Sequence, residues 1–121
     1  MSPKKVNIDE KLSLFSDHWN PRIVGELNGQ MVKLAKIKGT FDWHKHENED
    51  ELFYCLAGSF DLEFRDKTLH VKEREFVIVP KGVEHRPVAK EEASILLFEP
   101  ATTLNTGNVK NDRTKSDLER I

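Results

Sequence analysis

Residues 39–58 read GTFDWHKHENEDELFYCLAG, and the fold is decided here. His44 and His46 are two apart, so on an extended strand both rings point to the same face. Glu51 follows across the short polar loop 47–50 and opens the apolar run 51–57. Its parity relative to His46 is odd, so it faces inward with the histidines only if the loop resets the register. Beyond Gly58, Phe60, Leu62 and Phe64 alternate with Asp61, Glu63 and Arg65, the in/out pattern of a half-buried strand.

Working outward, 31–37, 41–46, 51–57, 59–65, 68–71, 75–79, 85–89 and 94–99 are short segments rich in Val, Leu, Ile and Phe. Turn signals at Gly39, 48–50, Gly58-Ser59, Asp66-Lys67 and Pro80-Lys81-Gly82 separate them, and such spacing predicts an all-β sandwich or barrel. Upstream, Ile8, Leu12 and Phe15 share one helical face over 7–18, with Asn7 or Asp9 to cap the start and Asn20-Pro21 to end it. Residues 22–27 lead into the tight turn Asn28-Gly29. After Pro100 the chain has few apolar residues, and 101–121 is expected as a surface tail or as a strap along the barrel or a second subunit. The expected organisation is therefore 1–29 helix and lead-in, 30–100 barrel, and 101–121 tail or strap.

Composition narrows the function classes. The 121 residues amount to about one domain. Charged residues make up 33%, yet the net charge is -2, which argues against a dedicated nucleic-acid binder. No apolar run approaches the roughly 18 residues that span a bilayer, and the first residues lack the apolar stretch of a secretory signal. The lone Cys55 cannot form an internal disulfide, so a cytoplasmic home is expected.

The chemistry lies in His44, His46, Glu51 and His85, the last placed by the turn at 80–82. Three imidazoles and one carboxylate suit a single divalent Fe, Mn, Ni, Co, Cu or Zn. A six-coordinate ion would keep two positions for water or substrate. Other candidates carry blander expectations. His70 faces solvent, His18 is structural or capping, and Cys55 is a buried inert thiol. Trp43 and Tyr54 either edge a cavity or pack, and Arg86 and Glu84 point outward.

Gly39, His44, His46, Glu51 and Gly58, followed by Pro80-Lys81-Gly82-Val83-Glu84-His85, resemble the two motifs of the cupin superfamily. The gap from Gly39 to His44 is one residue shorter than usual. Glu73-Arg74-Glu75 stands where a Gly-Asp pair often precedes the proline, and Val88 or Ala89 replaces a frequent Asn. Glu51-Leu52-Phe53-Tyr54 and Phe98-Glu99-Pro100…Asn105-Thr106-Gly107 are similar to small single-domain members, some labelled mannose-6-phosphate isomerase-like. The resemblance implies a double-stranded β-helix (jelly-roll) barrel, a metal inside it and a homodimer. The functional expectation is a metal-binding barrel that acts on or binds a small organic molecule and, if it is an enzyme, is a dioxygenase rather than an isomerase. A non-catalytic binding or sensing barrel and a sugar-phosphate isomerase-like enzyme are the alternatives.

Overall fold

The computed structural model describes residues 2–121. Helix α1 spans Ile8–Leu12, followed by strands β1 (Arg22–Leu27), β2 (Gln30–Thr40), β3 (Glu51–Ala57), β4 (Ser59–Phe64), β5 (Thr68–Lys72), β6 (Phe76–Val79) and β7 (His85–Pro100). All strand pairs are antiparallel. One path runs β1-β2-β7-β3-β6, while β4 pairs with β7 and β5. Among the described residues no helix is long and apolar enough to cross a membrane.

The long β7 closes the barrel. Its first part pairs with β4 (Phe64 opposite His85, Asp61 opposite Val88), its later part with β3 (Cys55 opposite Ile95, Leu52 opposite Phe98), and β2 runs along much of its length. The expected strands 85–89 and 94–99 are thus one element. Lys90, Glu91 and Glu92 look like a loop in the sequence, but they are exposed side chains on a strand that bends there. Gly58, between β3 and β4, permits a close approach to this stretch. Its φ is +78°, and a Cβ would lie 3.0 Å from the Glu92 carbonyl.

Three other expectations need correction. The helix is a single stretch of five residues, not 7–18. Asn7 accepts from the Glu10 amide at 3.0 Å as foreseen, but the Ser13 hydroxyl donates to the Glu10 carbonyl at 2.6 Å and the helix stops. None of its residues is buried. Phe15, beyond its end, makes the anchor instead, beneath the Arg22 guanidinium and the Lys36 ammonium. The lead-in 22–27 is a strand, because the Asn28-Gly29 turn folds it back onto β2. Residues 41–46 are not a regular strand and contribute one isolated bridge, His44 opposite His85.

Inside the barrel, alternation works as the patterning requires. Glu51, Phe53 and Cys55 of β3 are buried while Leu52 and Tyr54 are half-buried. Phe60, Leu62, Val71, Val79, Ala35, Ile37, Ala89, Ile95 and Leu97 complete a continuous apolar core with Phe53 and Cys55. Residues 101–121 lie against this body. Thr103 and Thr106 are buried, Ile23 donates to the Glu119 carbonyl and accepts from the Ile121 amide, and Ile23 and Arg120 thereby form an isolated parallel bridge.

Candidate metal centre

The segment carrying His44 and His46 is held at both edges. The His44 amide donates to the His85 carbonyl at 3.0 Å and the His85 amide returns the bond at 2.9 Å. The Gly82 amide donates to the His46 carbonyl at 2.7 Å, so the turn at 80–82 grips the second histidine. Lys45 faces the other way, its amide donating to Asn108 Oδ1 at 2.9 Å and its carbonyl accepting from the Asn108 amide at 3.0 Å. Alternate peptides of an extended chain point to opposite edges, which lets one short segment bind both the barrel and the C-terminal strap. Gly107 sits so close that a Cβ there would be 2.2 Å from the Lys45 carbonyl oxygen.

His44, His46, Glu51 and His85 are all buried, and one potential ligand atom from each lies within 4.8 Å of the others. The ring orientations follow from hydrogen bonding. His44 Nδ1 lies 2.8 Å from the Asp42 carbonyl, and His85 Nδ1 lies 2.9 Å from the Val83 carbonyl. A carbonyl only accepts, so both Nδ1 atoms carry hydrogen and both Nε2 atoms present lone pairs. His85 Nε2 is buried with no hydrogen-bond partner and stands 3.5 Å from Glu51 Oε1. An imidazole lone pair facing a carboxylate oxygen in a dry interior is unfavourable without a cation between them. His46 Nε2 lies 3.2 Å from the same oxygen. This donor set fits a divalent ion, and backbone-held Nδ1–H groups are the usual support of metal-binding imidazoles.

Electrostatics keep the donors in the required states. Burial, reinforced by the neighbouring His85, pushes His44 down to about 4, so its ring is neutral near pH 7. For Glu51, burial alone would raise the pKa. The adjoining Glu99, His46 and His85 side chains outweigh that and hold it well below the ordinary carboxylate range.

Glu99 is a residue that the sequence reading missed, together with Lys33. Continuing the register one rung past Leu52–Phe98 sets Glu51 opposite Glu99 on the inward face. Glu99 Oε1 accepts from Lys33 Nζ at 2.8 Å, with both side chains almost wholly buried. Burial, then the Glu51 charge, hold Glu99 well above its usual range despite Lys33, which favours its protonated form beside Glu51, and its Oε2 has no hydrogen-bond partner. A chain of ammonium, carboxylic acid and carboxylate therefore backs the cluster. Its signal was parity: Lys33 shares the inward phase of Ala35 and Ile37, and Glu99 that of Ile95 and Leu97.

A narrow cavity, open on one side, reaches His44 and Glu51. Its walls are mostly apolar, including Trp19, Ile37, Phe41, Phe53 and Leu97, with Asn105 from the strap. Trp19 takes the left-handed φ of 59°, held by its amide on the Lys36 carbonyl and its indole N–H on the Lys38 carbonyl, and stacks on Phe41 at 4.7 Å. Trp43 and Tyr54 do not line this cavity. Trp43 packs under the guanidiniums of Arg65 and Arg86, at 3.8 Å and 4.8 Å.

The remaining candidates stay outside the cluster. His70 is exposed and pairs with Asp61 at 2.7 Å, and His18 pairs with Glu92 at 2.8 Å. Arg86 meets Glu63 and Glu84 meets Arg65, both at 2.7 Å. Cys55 is buried, and burial followed by the Glu73 charge pushes its thiol up, away from the reactive thiolate.

Residues 30–99 match the family described as Cupin domain, which covers more than half of the chain. The chain belongs to this family. A solved structure of a cupin-2 domain containing protein from Shewanella frigidimarina is 43% identical, with a TM-score of 0.78 over 78% of this cupin and 93% of that chain. The uncharacterized protein YdbB of Bacillus subtilis is 41% identical over 64 residues, 52% of this chain and 57% of that protein. Acireductone dioxygenase 3 of Arabidopsis thaliana is 35% identical over 57 residues, 43% of this cupin and 28% of the plant enzyme. The cupin thus spans little more than half of the bacterial relative and under a third of the plant one.

Proposed function

We propose that His44, His46, Glu51 and His85 together hold one divalent first-row metal ion, and that this cupin turns over a small, predominantly apolar organic molecule in the adjoining cavity as a dioxygenase. The observation that carries the proposal is the convergence of four buried donors, one of them a lone pair left without a partner. A redox-active ion in such a ligand set supplies activation of dioxygen and of an oxygen-bearing substrate.

The residues around the ion have separate tasks. The Asp42 and Val83 carbonyls orient two imidazoles through Nδ1–H. Glu51 supplies negative charge, and the Glu99 proton steadies it from behind. The apolar wall from Trp19 to Leu97 excludes water from a substrate and strengthens electrostatic contacts there.

Two features favour oxygenation over sugar-phosphate isomerisation. Among the described residues no Lys or Arg lines the cavity, so nothing there would hold a phosphate. No acid or base besides the ligand side chains reaches it, whereas moving a proton between two carbons needs one positioned group or more. Similarity to a stretch of acireductone dioxygenases points the same way.

The wider setting belongs to the same proposal. The lone buried thiol suits a reducing cytoplasm. A homodimer would cover β6, an edge strand that exposes Phe76 and Ile78 beside the half-buried Leu52 and Tyr54. Sedimentation of the purified chain tests that part.

The main test is oxygen uptake by metal-loaded protein across a panel of enediols, diols, flavonoids and thiols. Substrate-dependent uptake that His85→Ala abolishes is the expected result. Saturable ligand binding with no uptake would replace the dioxygenase with a non-catalytic binding barrel.

A further inference from the structure

A second cavity is lined by Lys33. This partly open cavity of about 260 Å³ separates β1 and β2 from the C-terminal strap, and it shares no lining residue with the cavity at the cluster. Lys33, Lys115 and Arg120 line it, against the single acid Asp117. Thr103 lines it too, and its hydroxyl is buried without a hydrogen-bond partner.

The Lys33 ammonium is the unusual member. Its side chain is 3% exposed, and Glu99 accepts one of its three hydrogens. Among the described residues no other acceptor meets it, and a buried ammonium with idle donors is costly unless a polar group completes its shell. Lys115 uses its backbone amide to bond Asn105, but no described acid pairs with its ammonium. Arg120 bonds Glu26 through one guanidinium nitrogen at 3.0 Å. Three cations, one hydroxyl and one opposing carboxylate thus surround a space of small-molecule size.

We propose that this cavity binds a small oxyanion, a phosphate or carboxylate group, between Lys33, Thr103, Lys115 and Arg120. The anion would accept from the idle Lys33 hydrogens and from Thr103, while Lys115 and Arg120 neutralise its charge from the strap. Charge-assisted hydrogen bonds of this kind are the strong class, and Arg in particular matches planar and tetrahedral oxyanions. The site needs no metal at the histidine cluster, so it stands or falls separately from the dioxygenase proposal.

The test is an amide NMR titration of the full chain with inorganic phosphate, with acetate as a second arm and chloride at equal ionic strength as the control. Saturable shifts at Thr103, Lys115 and Arg120 with phosphate or acetate, and not with chloride, are expected. The arm that saturates at lower concentration names the class. Lys115→Met should weaken binding about tenfold. Thr103→Val should weaken it several-fold without lowering the melting temperature, since an isosteric methyl removes only the hydroxyl. Lys110→Met, a strap lysine that does not line the cavity, should change nothing. The Ile23 and Ile121 amides, which report strap attachment, should hold their positions in all three variants. Shifts that match chloride, or binding unchanged in both Lys115→Met and Thr103→Val, would overturn the proposal.

Discussion

Two halves of one barrel interior are built by the same strands on opposite rules. β3 gives Phe53 and Cys55 to the apolar core and Glu51 to the cluster. β7 gives Ala89, Ile95 and Leu97 to the core, and His85 and Glu99 to the polar layer. The apolar half repays its own ordering through burial, at roughly 25 cal/mol per Å². The polar half has no such return, since buried charges tend to cost more than they stabilise. The proposed metal ion would account for the polar half, while the core beside it does the stabilising.

The comparison breaks most visibly in the core. Phe60→Ala should cost about 3–5 kcal/mol in chemical denaturation, because it empties a fully buried site. A much smaller loss would mean that the core does not carry the fold. Lys33→Met should cost a similar amount, about 3 kcal/mol or more, in metal-free protein, since Glu51 and Glu99 would share one proton with no ammonium nearby. A loss below about 1 kcal/mol would show that Lys33 is not coupled to the carboxyls.

The polar half also predicts a pH response. The pKa of His44 is depressed from 6.5 to about 4 in the folded chain, so the unfolded chain takes up this proton first as pH falls. Its contribution is therefore full above pH 6.5 and is lost on acidification toward pH 4, amounting to about 3 kcal/mol. Urea midpoints of metal-free wild type and His44→Leu, measured across that window, should converge as the pH drops; parallel curves would contradict it. A smaller effect belongs to the strap. Gly107→Ala forces a Cβ against the Lys45 carbonyl and should cost about 1–3 kcal/mol, with the amides of Lys45 and Asn108 losing exchange protection first.

The sequence displayed the apolar half and the four donor residues, and hid what joins them. Alternation at Phe60, Leu62 and Phe64 and at Glu51, Phe53 and Cys55 marked both the strands and their inward faces, since parity alone sets which side chain is buried. The His-x-His pair was legible for its spacing. The irregular path of 41–46 was not, because its bonds go to single residues of β7, the 80–82 turn and the strap, which no local pattern reports. Lys33 and Glu99 escaped for a different reason. A charged residue in a strand is normally read as solvent-facing, and only the register of β2, β7 and β3 brings these two together behind Glu51. The tail was equally silent, since polar residues that pack through backbone hydrogen bonds look the same as polar residues in water.

The claim at the centre is that the four buried donors form one metal site. Titrating metal-free protein with Co²⁺, and following the ligand-field absorption together with the heat of binding, tests it most directly. The expected result is saturation at one ion per chain, with absorption and heat both lost in His44→Ala/His85→Ala while the folded signal persists. Wild type that binds no ion, or a double variant that binds as wild type does, would contradict it.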